Sequence, residues 1–111
     1  MDTKTLSLPR LNQLNPSLES TALKLMEEAG ELAQVIGKYR GLSGEQIVLD
    51  EDLAIKQIAR ELLDVAQTAV TMMFVLEDQH GIDLGDMRQE HIAKLERKGY
   101  LCLDPSQDPE A

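Results

Sequence analysis

The stretch KLMEEAGELAQVIGK, Lys24 to Lys38, sets three glutamates, Glu27, Glu28 and Glu31, close together on what otherwise reads as an amphipathic helix. Like charges three and four residues apart on a helix repel by roughly 0.2–0.5 kcal/mol per pair. A crowd of acids beside a face that must be buried therefore calls for a compensating partner. Around it, Leu18, Ala22, Leu25, Ala29, Leu32, Ala33 and Ile36 recur at three and four residues, the helical period. The preceding NPSLES predicts the helix start, with Asn15 as N-cap and Pro16 in the first turn, and Gly37 and Gly41 predict its end.

A second helix is expected from Asp50–Asp52, whose acids suit the positive end of a helix dipole, through LAIKQIARELLDVAQTAVTMMFVLEDQ to His80, with Gly81 as the stop. Such a helix is roughly 40 Å long. Ile55, Ile58, Leu62, Leu63, Val65, Ala66, Ala69, Val70, Met72, Met73 and Leu76 cover about half its circumference, more than one partner helix buries. Between the two helices, GLSGEQIVLDED has no sustained period and reads as a loop. DLGDMRQEHIAKLERK predicts a third, shorter helix with Leu84, Met87, His91 and Leu95 on one stripe. Leu6, Leu8, Leu11 and Leu14 predict an N-terminal segment packed on the body.

The chain's 111 residues suffice for one domain. We assign residues 1–103 to a single helical domain and 104–111, DPSQDPEA, to a disordered acidic tail. With two Tyr, one Phe and no Trp, the core must be built from aliphatic residues and Met. The fold class predicted is all-α: a helical hairpin plus a short third helix, dimerising into a four-helix bundle, because a half-apolar long helix asks for a second copy of the chain. A net charge of -9 argues against a nucleic-acid polymer or an anionic membrane as partner. An acidic protein handling an anionic ligand needs cations as a bridge. The single cysteine, Cys102, is read as structural, and the lack of an apolar leader or spanning segment leads to an expectation of a cytoplasmic protein.

Glu28 falls at the edge of the first helix's apolar stripe, with Glu31 beside it. On the second helix Glu61 and Asp64 repeat the i,i+3 arrangement at the border of the apolar arc. If the helices pair antiparallel, the two carboxylate pairs converge. Desolvation and mutual repulsion then oppose full ionisation, and a hard divalent cation such as Mg²⁺, with oxygen ligands and open positions for phosphate, relieves both. The plainer alternative is a solvated acidic face on helices rich in a good helix former.

EEAGE (Glu27–Glu31), followed after a loop by ELLD (Glu61–Asp64), resembles the EExxE…ExxD signature of the MazG-like all-α nucleoside triphosphate pyrophosphohydrolases, relatives of the dimeric dUTPases and phosphoribosyl-ATP pyrophosphohydrolases. The resemblance spans roughly residues 17 to 98. It implies Mg²⁺ ligands at Glu28, Glu31, Glu61 and Asp64, with Mn²⁺ as a possible substitute, and a water-orienting glutamate at Glu27 or Glu31. It further implies a nucleoside triphosphate substrate cleaved between the α- and β-phosphates in nucleotide-pool housecleaning, and a homodimer or homotetramer. Lys24, Lys94 and Lys98 are the candidate phosphate contacts. Members often carry an Asn near the end of the third helix, where this chain reads KLERKGY.

Two other readings compete. Glu77 and His80 form an ExxH of the kind used in di-iron carboxylate bundles, but Glu77 lies about 24 Å beyond Glu61 on a straight helix. A helical interaction module, dimerising through Met72, Met73, Phe74 and Leu76, would show no metal dependence.

Overall fold

The computed structural model describes residues 1–41 and 50–103, which contain three helices and no strand: α1 (Leu18–Tyr39), α2 (Glu51–His80) and α3 (Leu84–Arg97). The all-α expectation holds among these residues. The central part of the expected loop and the expected acidic tail lie outside them.

α1 starts later than the sequence suggests. Its N-cap is Ser17, not Asn15, and Pro16 stands outside the first turn. Two serines explain this. Ser17 Oγ accepts from the Ser20 backbone N–H at 3.0 Å, and Ser20 Oγ accepts from the Ser17 N–H at 2.8 Å, a reciprocal capping box. Gly37 sits inside the helix rather than at its end. The reversal comes at Gly41, whose φ of 72° is left-handed.

α2 follows the expected bounds. Asp50 caps it by accepting from Leu53 N–H at 3.1 Å. At the other end Gly81 turns left-handed at φ 65°, and the Ile82 N–H reaches back to the Leu76 carbonyl at 3.2 Å, the six-to-one bond of a Schellman ending. α3 is capped by Asp83, which accepts from the Gly85 and Asp86 N–H groups.

Tyr39 Oη donates to Glu51 at one end of the α1–α2 pair, and Gln79 Nε2 donates to the Pro16 carbonyl at the other. The two helices are therefore antiparallel. Among the described elements theirs is the extensive pairing, and α3 has no comparable one.

The seam between them is made of small and polar side chains. Among the described residues, Thr21, Glu28, Ala54, Thr68, Thr71 and Val75 are the buried ones, and no large side chain is fully enclosed. Leu25, Leu32, Ile58, Met72 and Leu76 are half-buried beside it, whereas other large aliphatics face outward, with Leu23 and Met26 each 74% exposed and Leu62 54%. The stripe that α2 turns toward α1 is thus the edge of its apolar arc, and Glu28 lies within the seam rather than at the border of it. On α3, Leu84 and Leu95 are half-buried, whereas Met87 and His91 are exposed, so His91 is not a packed histidine. Cys102, expected to be structural, is also exposed.

The N-terminal segment runs against α2 as an extended strap. Gln67 Nε2 donates to the Pro9 carbonyl at 2.9 Å. The Arg10 guanidinium pairs with Asp78 and lies 4.2 Å from the centre of the Phe74 ring, a cation–π geometry. Of the four leucines expected to pack, Leu8 is half-buried, while Leu6 and Leu14 stay mostly exposed.

Candidate metal and nucleotide site

Antiparallel pairing sets the middle of α1 against the middle of α2, where both carry acids. One carboxylate oxygen from each of Glu28, Glu31 and Glu61 lies within 4.8 Å of the other two. Glu28 is 7% exposed, Glu61 half-buried and Glu31 exposed. The site has a closed side and an open side.

Each of the two less exposed glutamates has one oxygen held and one without a partner. Glu28 Oε1 receives Lys24 Nζ at 3.0 Å, and Glu61 Oε1 receives Gln57 Nε2 at 2.9 Å. Glu28 Oε2 and Glu61 Oε2 are buried with no hydrogen-bond partner. An unsatisfied buried carboxylate oxygen is costly, on the order of 1–3 kcal/mol or more. Two such oxygens in one three-carboxylate group call for a donor or a cation.

Glu31 shows the same crowding. The negative charge of Glu28 holds its carboxyl above the usual range, aided by desolvation, by a hydrogen bond to Glu28 and by the charges of Glu61 and Glu27. Lys24 is pushed the same way, and this keeps it charged, first by its hydrogen bond to Glu28 and then by the charges of Glu27 and Glu28. The donor set is all carboxylate oxygen, the chemistry that hard Mg²⁺ or Mn²⁺ prefers, and a cation would satisfy both orphaned oxygens. The residues fit such an ion.

Asp64 and Glu27 stand apart from the triad. Asp64, one turn beyond Glu61, is exposed and lines an adjoining cleft of about 420 Å³ together with Glu28 and Lys24. That volume lies within the range of small-ligand sites, about 300–1,000 Å³. Glu27 faces solvent and pairs with Lys24 at 3.6 Å. Lys94 and Lys98 do not line the cleft, so one chain does not bring them to the triad. Glu77 and His80 are exposed at the far end of α2 and outside the triad, which leaves the di-iron arrangement without support.

Two glutamines escaped the sequence reading. Gln57 precedes Glu61 by one turn, and that i,i+4 spacing was a readable signal. Gln67 joins α2 to the strap across 58 residues of sequence, and no local pattern announces such a contact.

Three carboxylates from two antiparallel helices, gathered over a small-molecule cleft, define an all-α protein with an acidic site suited to a hard cation. The chain matches the family model of the MazG nucleotide pyrophosphohydrolase domain over residues 16–100, and it belongs to that family. Comparisons with curated proteins and with solved structures returned no match.

Proposed function

We propose that the protein is a Mg²⁺-dependent nucleoside triphosphate pyrophosphohydrolase, releasing a nucleoside monophosphate and pyrophosphate and so clearing unwanted nucleotides from the cytoplasmic pool. The observation that carries this reading is the pair of orphaned oxygens on Glu28 and Glu61 inside a three-carboxylate group, in a chain of the MazG family.

Glu28, Glu31 and Glu61 would hold the metal, with Asp64 in reach of the same end of the cleft. A bound ion would supply neutralisation of phosphate charge and polarisation of the scissile anhydride. Lys24, charged and at the mouth of the cleft, contacts the phosphates. Glu31, the exposed member of the triad, is the candidate to orient the attacking water and take its proton. Glu27, turned outward onto Lys24, is the weaker candidate for that role and serves to set the lysine's position.

The uncovered leucines and methionines of α1 and α2 support a homodimer, or a tetramer of two such pairs, as the working form, because neither helix encloses a large side chain within one chain. Lys94 and Lys98, which do not line the cleft of their own chain, would then act on phosphates across an interface between copies. The helical wheel's excess of apolar surface on α2 is explained in the same way.

Product analysis tests the reaction. Incubation with Mg²⁺ and a nucleoside triphosphate should give monophosphate and pyrophosphate in equal amounts. Diphosphate with orthophosphate would contradict the proposed bond.

A further inference from the structure

The cleft beside the acidic triad has a wall that the MazG match does not include. Leu11, Leu14 and Asn15 of the strap line it, all before residue 16, where the family match begins. We propose that this strap, acting with Gln67 of α2, is the base-reading wall of the nucleotide cleft and sets which bases the protein accepts. The inference rests on the nucleotide reading above and names the part of the substrate that this region recognises.

The position follows from helix register. Lys24, Glu28 and Asp64 mark the phosphate end of the cleft. Thr21 and Thr71 lie seven residues from Glu28 and Asp64 on their respective helices, about 10 Å further along. That is toward the strap, so a nucleotide with its phosphates at the carboxylates extends its nucleoside between α1, α2 and the strap.

The strap is fixed in place at several points. The Pro9 carbonyl is held by Gln67, Arg10 by Asp78 and Phe74, and the Pro16 carbonyl by Gln79. A wall anchored on both sides of Leu11 and Leu14 can discriminate by shape, which a loose terminus cannot.

Beside the Asn15 amide, the wall offers hydroxyl and amide groups that are partly engaged within the protein. The Thr21 hydroxyl donates to the Ser17 carbonyl at 2.8 Å and the Thr68 hydroxyl to the Asp64 carbonyl at 2.9 Å. Both donors are therefore satisfied within their own helices. Gln67 Nε2 donates to the Pro9 carbonyl and, more weakly, to Thr71 Oγ1 at 3.4 Å. A carbonyl can only accept, which fixes the orientation of this amide and leaves Gln67 Oε1 as its remaining acceptor. Such an acceptor takes an N–H from a base edge, and the position of that N–H, exocyclic amino or ring imide, differs from base to base. Among the described residues no aromatic side chain lines the cleft, so Leu11, Leu14 and Pro16 hold the base by aliphatic contact rather than by ring stacking. A site that hydrogen-bonds one feature of a substrate rejects analogues lacking it far better than apolar contact alone does.

The test compares kcat/KM across ATP, GTP, CTP, UTP and their deoxy forms, with Mg²⁺, for the wild type, a Leu11→Ser/Leu14→Ser double variant and Gln67→Leu. Both leucines are substantially exposed, 36% and 66%, so the double variant leaves the helix seam untouched, and circular dichroism checks both folds. The expected result is that the spread between best and worst base narrows about tenfold or more in each variant, through KM more than kcat. Folded variants that keep the wild-type ranking and spread would overturn the inference while leaving the hydrolase reading intact. A wild type that hydrolyses no nucleotide would overturn the hydrolase reading and the inference with it, and the wild-type assay alone separates the two failures.

Discussion

Glu28 on α1 and Glu61 on α2 each bury one carboxylate oxygen without a hydrogen-bond partner, and the two side chains meet in the same three-carboxylate group. Neither helix alone accounts for this. Each glutamate is held on its other oxygen, by Lys24 and by Gln57 respectively, so both are kept in place in spite of their mutual repulsion.

Relieving that repulsion should stabilise the metal-free protein. Glu61→Gln keeps an oxygen to accept from Gln57 and supplies an amide donor to the remaining carboxylates. We expect it to raise metal-free stability by about 1 kcal/mol, a shift of a few degrees in Tm, and to abolish any further rise on addition of Mg²⁺. Thermal unfolding with EDTA and with Mg²⁺ reads both effects.

Glu31 makes stability depend on pH. Its folded pKa is raised, so the folded state holds this proton more tightly than the unfolded chain does. The associated stabilisation is fully present below the ordinary glutamate pKa and is lost as pH rises through the raised value. The metal-free protein should therefore lose stability as pH rises through that window, and Glu31→Gln should flatten the dependence. Mg²⁺ competes with the same proton, so its affinity should weaken as pH falls through the window. Calorimetric titrations at several pH values measure this.

Gln57 tests whether orientation of Glu61 matters. Replacing it with Leu removes the 2.9 Å hydrogen bond and no buried apolar contact. Loss of such an orienting partner typically weakens metal binding about 10–100-fold. We expect a fall of that size in Mg²⁺ affinity with the helical circular dichroism signal unchanged.

The start of α1 is held by Ser17. Ser17→Ala breaks the reciprocal capping box and should cost about 1 kcal/mol of stability, read from denaturant midpoints. The same measurement on Asn15→Ala should show no comparable loss, since Asn15 caps nothing.

Much of this architecture was legible in the sequence. Helical periodicity with Asp50–Asp52 and Gly81 places the bounds of α2, and the matched i,i+3 acids name Glu28, Glu31, Glu61 and Asp64, of which the first three lie together. The N-terminus of α1 differs from the expected Asn15 because what fixes the cap is the reciprocal pair of side-chain hydrogen bonds between Ser17 and Ser20, which forms only once the first turn is in place. The seam was misread for a related reason. A wheel ranks faces by hydrophobicity, yet the most buried residues of the α1–α2 seam are threonines, Ala54, Val75 and Glu28, while Leu62 and Leu63 lie outside it. The strap's part in the cleft depends on contacts such as Gln67 with Pro9, far apart in sequence, and no local rule reaches that distance.

The central claim is tested most directly by pyrophosphate release from a panel of nucleoside triphosphates, with Mg²⁺ and with EDTA, for the wild type and Glu61→Gln. The account predicts release that requires both the metal and Glu61. Release unaffected by EDTA or by the substitution, or no release from any nucleotide by a folded protein, would contradict it.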